Sequence, residues 1–303
     1  MQRASICVYA LLSLAVTGGV SAQTVLNNAI VITEFFDNFG LVDPSGPSAA
    51  PLLLSPSNPF GTPGLPDQLL LESSGNLVFT DFAQVRRLDP LTGVISDLAM
   101  PSSASLIGLA MEADGTILAT DPGALYRINP TSGLVTEIPN AEAFYGPGDL
   151  TVAGNGDIYL LEFFQDLLRV DPVTLAFTPV AVDRSYTNAS LIEALPNGDL
   201  VIVDSQRDVY VFDPDTHTST QVPIDLGTSV PRGSAIGTSG QFLLATNQAL
   251  LEIDLTTGAS VTLTPDETFF APYDAVQGTI TVPEPASATV LLGGLVMLNR
   301  RRR

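Results

Sequence analysis

The chain has 303 residues, is 45% hydrophobic, and carries 32 acidic against 12 basic residues, a formal net charge of −20. Every basic residue is Arg, and five of them (Arg3 and Arg300 to Arg303) lie at the ends, so the body is more acidic than the total implies. A surface this negative repels phosphate backbones and anionic headgroups, which excludes nucleic acid as a partner and leaves Ca²⁺ or simple solubility as uses for the charge.

The first element in chain order is Met1-Gln2-Arg3, an apolar run from about Ile6 to Val16, and the small residues Val20-Ser21-Ala22. A positive start, a short apolar core and small residues at the cleavage point mark a secretory signal over residues 1–22, cut after Ala22. Cys7, the single cysteine, leaves with that segment, so the mature chain has no disulfide and no thiol chemistry.

The body, residues 23–282, repeats. One marker is a turn at Asp43-Pro44, Asp89-Pro90, Asn129-Pro130, Asp171-Pro172, Asp213-Pro214 and Asp254-Leu255. A second is a tight turn at Gly75-Asn76, Asp114-Gly115, Asn155-Gly156, Asn197-Gly198 and Ser239-Gly240. Both recur about every 41 residues, the length of a four-stranded antiparallel blade. Within each unit an apolar strand precedes the glycine turn, which suits a two-residue hairpin. A second strand then ends in an acid, as in Asn76 to Asp81 or Asp199 to Asp204. These strands are apolar runs without clean alternation, as expected when both faces of a sheet are covered.

Ile30 to Glu34, Phe39 to Val42 and Leu52 to Leu54 supply a second, third and fourth strand, and Tyr273 to Val282 supplies an unaccompanied first. Pairing the two ends of the body completes a blade and removes exposed edges. The expectation is an all-β, six-bladed β-propeller of four-stranded antiparallel blades, closed by its N- and C-terminal segments, with a signal helix at each end of the chain.

The C-terminus, residues 283–303, reads Pro283-Glu284-Pro285, an apolar run from Ala286 to Leu298, then Asn299 and Arg300, Arg301, Arg302, Arg303. As a helix the apolar run is about 20 Å long, short for a bilayer core of about 30 Å, and the Arg cluster would stay on the cytoplasmic side. These three features in this order resemble the PEP-CTERM sorting signal. The resemblance implies a tail held transiently as a transmembrane helix in the inner membrane of a Gram-negative-type bacterium. An exosortase-type enzyme then processes it, and the body is delivered to the cell surface or to an extracellular polysaccharide matrix.

The blades resemble the NHL, streptogramin-lyase and gluconolactonase-like propellers, most closely in Tyr126 to Gly133 and Asp208 to Pro214. That resemblance implies blade grammar shared by enzymes and binding modules alike.

Strand polarity puts the glycine and Asp-Pro turns on one face and the second-strand acids Glu34, Asp81, Asp121, Glu162 and Asp204, with Asn247 in the sixth place, on the other. With Phe35, Phe36, Phe82, Phe163 and Phe164 in the same loops they could bind a ligand. Asp67, Asp149 and Asp274, near the starts of innermost strands, break the repeat and are candidate Ca²⁺ ligands. Alternatively each recurring acid caps its own turn. Arg87, Arg127 and Arg169 share one third-strand position and are expected to pair with acids of adjacent blades. His217, the single histidine, lies in a turn on the other face, away from the acids, and streptogramin-lyase chemistry requires a histidine among them. The expectation is a non-catalytic, surface- or matrix-associated binding or scaffold module, with a surface protein or polysaccharide as partner. The alternative is a metal-dependent hydrolase of the lactonase class.

Overall fold

The computed structural model describes residues 23–34, 38–42, 52–53, 66–82, 84–101, 105–138, 147–162, 167–186, 188–264 and 272–283. The expected signal segment 1–22 and the tail 284–303 lie outside them, and with them both terminal helices, as do Phe35, Phe36, Phe163 and Phe164. Among the described residues there are strands and no helix.

The chain begins with β1 (Gln23–Glu34), β2 (Asn38–Val42) and β3 (Leu52–Leu53). Blade A follows with β4 (Pro66–Leu71), β5 (Leu77–Asp81), β6 (Gln84–Asp89) and β7 (Val94–Ala99). Blade B holds β8 (Gly108–Met111), β9 (Ile117–Thr120), β10 (Leu125–Ile128) and β11 (Val135–Ile138). Blade C holds β12 (Pro147–Val152), β13 (Ile158–Glu162), β14 (Leu167–Val170) and β15 (Phe177–Val180). Blade D holds β16 (Leu191–Ala194), β17 (Leu200–Val203), β18 (Val209–Asp213) and β19 (Thr218–Gln221). Blade E holds β20 (Pro231–Ile236), β21 (Phe242–Thr246), β22 (Leu250–Ile253) and β23 (Ser260–Thr262). The last strand is β24 (Pro272–Pro283).

The fold is an all-β propeller. Blades A to E are five four-stranded meanders of consecutive strands, and the expected count of six is not reached by these alone. The remaining strands join in a sheet of order β24-β1-β2-β3, so the two ends of the body pair as expected.

Hydrophobic burial explains the apolar runs. Every residue of β5, β13, β17 and β21 is buried, because each sheet is packed on both faces. The outer strands β19 and β23 are mostly exposed and correspondingly polar, and β7, though half exposed, keeps Ile95 and Leu98 against the core. Each core cluster is shared by neighbouring sheets. Val78 and Val85 of blade A meet Leu109 and Ile117 of blade B. Tyr159 and Leu161 of blade C meet Leu200 and Phe212 of blade D. The terminal sheet packs on both sides. Val31 and Phe39 meet Leu69 and Phe79 of blade A, and Ile30 and Ile32 meet Leu243 and Leu250 of blade E. Full burial of such a side chain contributes roughly 1.5–3 kcal/mol.

Two turns recur. The first-to-second-strand hairpin is longer than the expected two-residue loop. In blade A, Gly75 N–H donates to the Glu72 carbonyl and Glu72 N–H to the Asn76 carbonyl, with Gly75 at a φ of +86°. This is a three-residue loop, a turn followed by a left-handed bulge, and the same bonds recur at Glu112, Ala153, Leu195 and Gly237. At the Asp-Pro turn, Asp89 Oδ1 accepts from Leu91 N–H at 2.8 Å and Thr92 N–H at 3.3 Å, and Gly93 N–H closes on the Asp89 carbonyl. Asn129, Asp171, Asp213 and Asp254 repeat the arrangement.

Candidate functional site in the central channel

The innermost strands β4, β8, β12, β16, β20 and β24 together line a central channel of about 250 Å³. Most of the residues along it are apolar, but polar atoms form the larger part of its exposed wall. Three carboxyl groups lie among them: Asp149 of β12, Glu193 of β16 and Asp274 of β24. Asp149 and Asp274 were singled out in the sequence, and the structure brings them to one channel. Of Asp67 only the backbone, within β4, is described. Glu193 escaped the sequence reading, which searched strand ends. The available signal was a lone acid inside the apolar β16, at a position its register with β17 aims inward.

These carboxyl groups staple blades together. Asp149 Oδ2 accepts from Ile192 N–H of blade D at 3.1 Å and its Oδ1 from Leu150 N–H at 2.8 Å. Asp274 Oδ2 accepts from Leu69 N–H of blade A at 2.6 Å and its Oδ1 from Ala275 N–H at 2.8 Å. Glu193 Oε1 accepts from Ser234 Oγ of blade E at 3.1 Å. Burial pushes the Asp149 carboxyl up to about 7, partly opposed by its two N–H donors. Burial also holds Glu193 and Asp274 well above the usual carboxylate range, and the negative charge of neighbouring channel acids adds to it. Like-charged groups sharing a low-dielectric site retain protons, and Asp149 does so up to about 7.

The second-strand acids are separated, one per blade, and engaged locally. Asp81 pairs with Arg86 at 2.9 Å. Asp121 Oδ1 accepts from Gly123 and Ala124 N–H at 2.7 and 2.8 Å, and its Oδ2 from the Tyr126 hydroxyl at 2.9 Å. Asp204 Oδ1 accepts from Gln206 and Asp208 N–H at 2.9 and 3.1 Å. Glu162 is buried at the end of β13, and only the backbone of Glu34 is described. In blade E the capping role falls to Thr246, whose Oγ1 accepts from Ala249 N–H at 3.0 Å. Asn247 instead accepts from Val230 N–H at 2.7 Å. Phe82 stands 59% exposed in the blade A loop.

A Ca²⁺ ion needs six to eight oxygens converging at 2.3–2.6 Å. Among the described residues no three Asp, Glu, His or Cys side chains are grouped to hold a metal ion, and the Asp149 and Asp274 oxygens already accept main-chain N–H groups.

The arginines pair differently from the expectation. Arg87 bonds Glu72 of its own blade at 2.5 Å and reaches the next blade at the Pro130 carbonyl, 2.6 Å away. Arg127 repeats this with Glu112 and the Pro172 carbonyl. The acid is therefore internal to the blade and the neighbour supplies a carbonyl. Each of these third-strand arginines meets the acid that opens the first turn of its own blade.

No family model matches the sequence, and no curated protein is similar to it. Solved structures share the fold. The nidogen/laminin complex contains a chain that matches with a TM-score of 0.66 at 12% identity, over 83% of this chain and 98% of that one. Virginiamycin B lyase from Staphylococcus aureus matches at 0.60 and 13% identity, over 86% and 99%. A putative gluconolactonase matches at 0.59 and 13% identity, over 73% and 90%. At these identities the likeness establishes the fold and leaves function to the site.

Proposed function

We propose that this chain is a non-catalytic binding or scaffold propeller, exported and sorted to the cell surface or matrix by its tail. The observation that carries the reading is the engagement of its carboxylates. The described acids that could have formed a metal centre bond to turns, to arginines or to backbone N–H groups of the adjacent blade. The terminal sheet closes the ring as a sixth blade, a reading supported by its cores with blades A and E and by the inter-blade bond from Leu69 to Asp274. Export is supported by the sequence signals alone, the positive start, apolar run and small residues of 1–22 and the Pro283-Glu284-Pro285, apolar and Arg segments of the tail.

The metal-dependent lactonase reading draws on the channel carboxyls Asp149, Glu193 and Asp274. A turnover assay separates the two. The purified protein is offered lactones and aryl esters with Ca²⁺, Mn²⁺ or Zn²⁺. The binding module gives rates no higher than the Asp149→Asn, Asp274→Asn double variant. Metal-dependent hydrolysis lost in that variant establishes the enzyme instead. Export is tested by sequencing the mature chain from a host with an exosortase-type system, where the N-terminus should be Gln23.

A further inference from the structure

A second cavity, of about 470 Å³, opens between blades C and D on the face where the glycine and Asp-Pro turns gather. Its size falls within the range of roughly 300–1,000 Å³ typical of small-molecule sites. Two inter-blade contacts that occur at other junctions are missing here.

The first break is in the arginine bridge. Arg87 and Arg127 are held by Glu72 and Glu112 and reach a proline carbonyl of the next blade. In blade C the glutamate position is Ala153, as its turn bonds show. Arg169 turns to Asp157, at 2.8 Å, and forms no bond to the Pro214 carbonyl across the gap. Its side chain is 49% exposed, against 24% for Arg87 and 26% for Arg127.

The second break is in the close approach of turns. In blades B and E the left-handed turn residue is glycine, and a Cβ there would lie 2.3 Å from the preceding blade's backbone, at Leu98 O for Gly133 and Pro223 O for Gly258. In blade D that residue is His217, at a φ of +61°, lining the cavity opposite Thr178–Val180 of β15.

An unrepeated residue lies in the opening. Tyr159 of β13 occupies the register position of Val78, Leu118, Val201 and Leu243, apolar in the other blades. It is 4% exposed, lines the cavity, and its hydroxyl makes no hydrogen bond. The hydroxyl therefore opens to the cavity, where it can donate to or accept from a ligand.

The geometry points to a site for a neutral polyhydroxylated ligand, a segment of glycan. This deepens the binding-module reading and rests on it. Donors (the Tyr159 hydroxyl and the open Arg169 guanidinium) and acceptors (the Asp199 and Asp215 carboxylates) share one lining, which suits hydroxyl groups that both donate and accept. Pro179 and Pro196 supply apolar faces for ring carbons. Four aspartates against one Arg repel an anion.

The test displays immobilised neutral oligosaccharides, acidic oligosaccharides and hexalysine to the purified protein, and then to Tyr159→Phe, Arg169→Gln and Ala153→Glu. The last restores the glutamate of blades A and B and draws Arg169 inward. The expected result is binding to a neutral glycan, weakened at least fivefold by Tyr159→Phe and Arg169→Gln and abolished by Ala153→Glu, with melting temperatures that show all variants folded. Binding to hexalysine or acidic sugars alone, no binding to any probe, or neutral-glycan binding indifferent to Ala153→Glu overturns the proposal. A partner bound elsewhere on the protein would sink the cleft and leave the binding-module reading intact. Hydrolysis of a probe would sink that reading and leave the cleft.

Discussion

Asp149 shows how one side chain links architecture to pH. Its carboxyl is raised to about 7 in the folded state by burial, against an ordinary value of 3.8. Between about pH 4 and 7 the folded chain therefore binds more protons at this position than the unfolded chain, and stability falls as pH rises through that window. Glu193 and Asp274, also raised, act in the same direction. The turn aspartates Asp171, Asp213 and Asp254 are held low by N–H donors of their own turns, so their opposite effect acts only in more acid solution. The melting temperature should be higher at pH 5 than at pH 8, and Asp149→Asn should flatten the difference. A melting temperature that rises from pH 5 to pH 8 would contradict this. His217 is a second residue-scale case. The left-handed backbone costs a non-glycine residue roughly 1–2 kcal/mol, partly offset by glycine's greater freedom when unfolded. His217→Gly should stabilise the protein by up to about 1 kcal/mol in denaturant unfolding.

At the scale of elements, the two repeated turns carry the period and the arginine bridges tie the blades. Gly133→Ala combines a strained φ of +68° with a Cβ lying 2.3 Å from the Leu98 carbonyl oxygen, and should cost about 2 kcal/mol or more. Arg127→Ala, which frees Glu112 and the Pro172 carbonyl, should cost about 1–3 kcal/mol, whereas Arg169→Ala, already half exposed, should cost less than 1. Urea unfolding of the two arginine variants side by side checks the contrast. These elements were unequally legible in sequence. Strands and turns could be read because glycine, Asx and proline meet local backbone demands that leave a fixed spacing. The hairpin length could not, because the same Asx-Gly pair serves two- and three-residue loops. The arginine partners were misassigned because spacing gives position along a strand and not which acid lies across the hairpin. Glu193 was missed because one acid in Leu-Ile-Glu-Ala shows its inward direction only once β16 is set against β17. The cleft appears only when Ala153, Tyr159 and His217, each unremarkable alone, are compared with their counterparts in other blades.

For the whole molecule, the terminal sheet joins residues far apart in sequence, and its buried side chains contact blades on both sides. Removing β24 would take away Ala275, expose the apolar surfaces it covers and leave the Leu69 N–H without Asp274. A chain ending before Pro272 should therefore lose its cooperative thermal transition. The ends of the body were legible as a pair because each lacked the strands that the other supplied. What the carboxylates do was not, because the same Asp can cap a turn, staple two blades or ligate a metal.

The central proposal is that the described carboxylates serve the fold, through turns, arginines and inter-blade N–H groups, and not a metal ion. The melting temperature of the purified protein with millimolar Ca²⁺, compared with chelator, tests it most directly. A ligand binding only the folded state at 100 times its Kd adds about 2.7 kcal/mol, a shift readily seen. The account predicts no shift. A rise of several degrees that chelator reverses, and that Asp149→Asn and Asp274→Asn abolish, would contradict it and place a metal site in the channel.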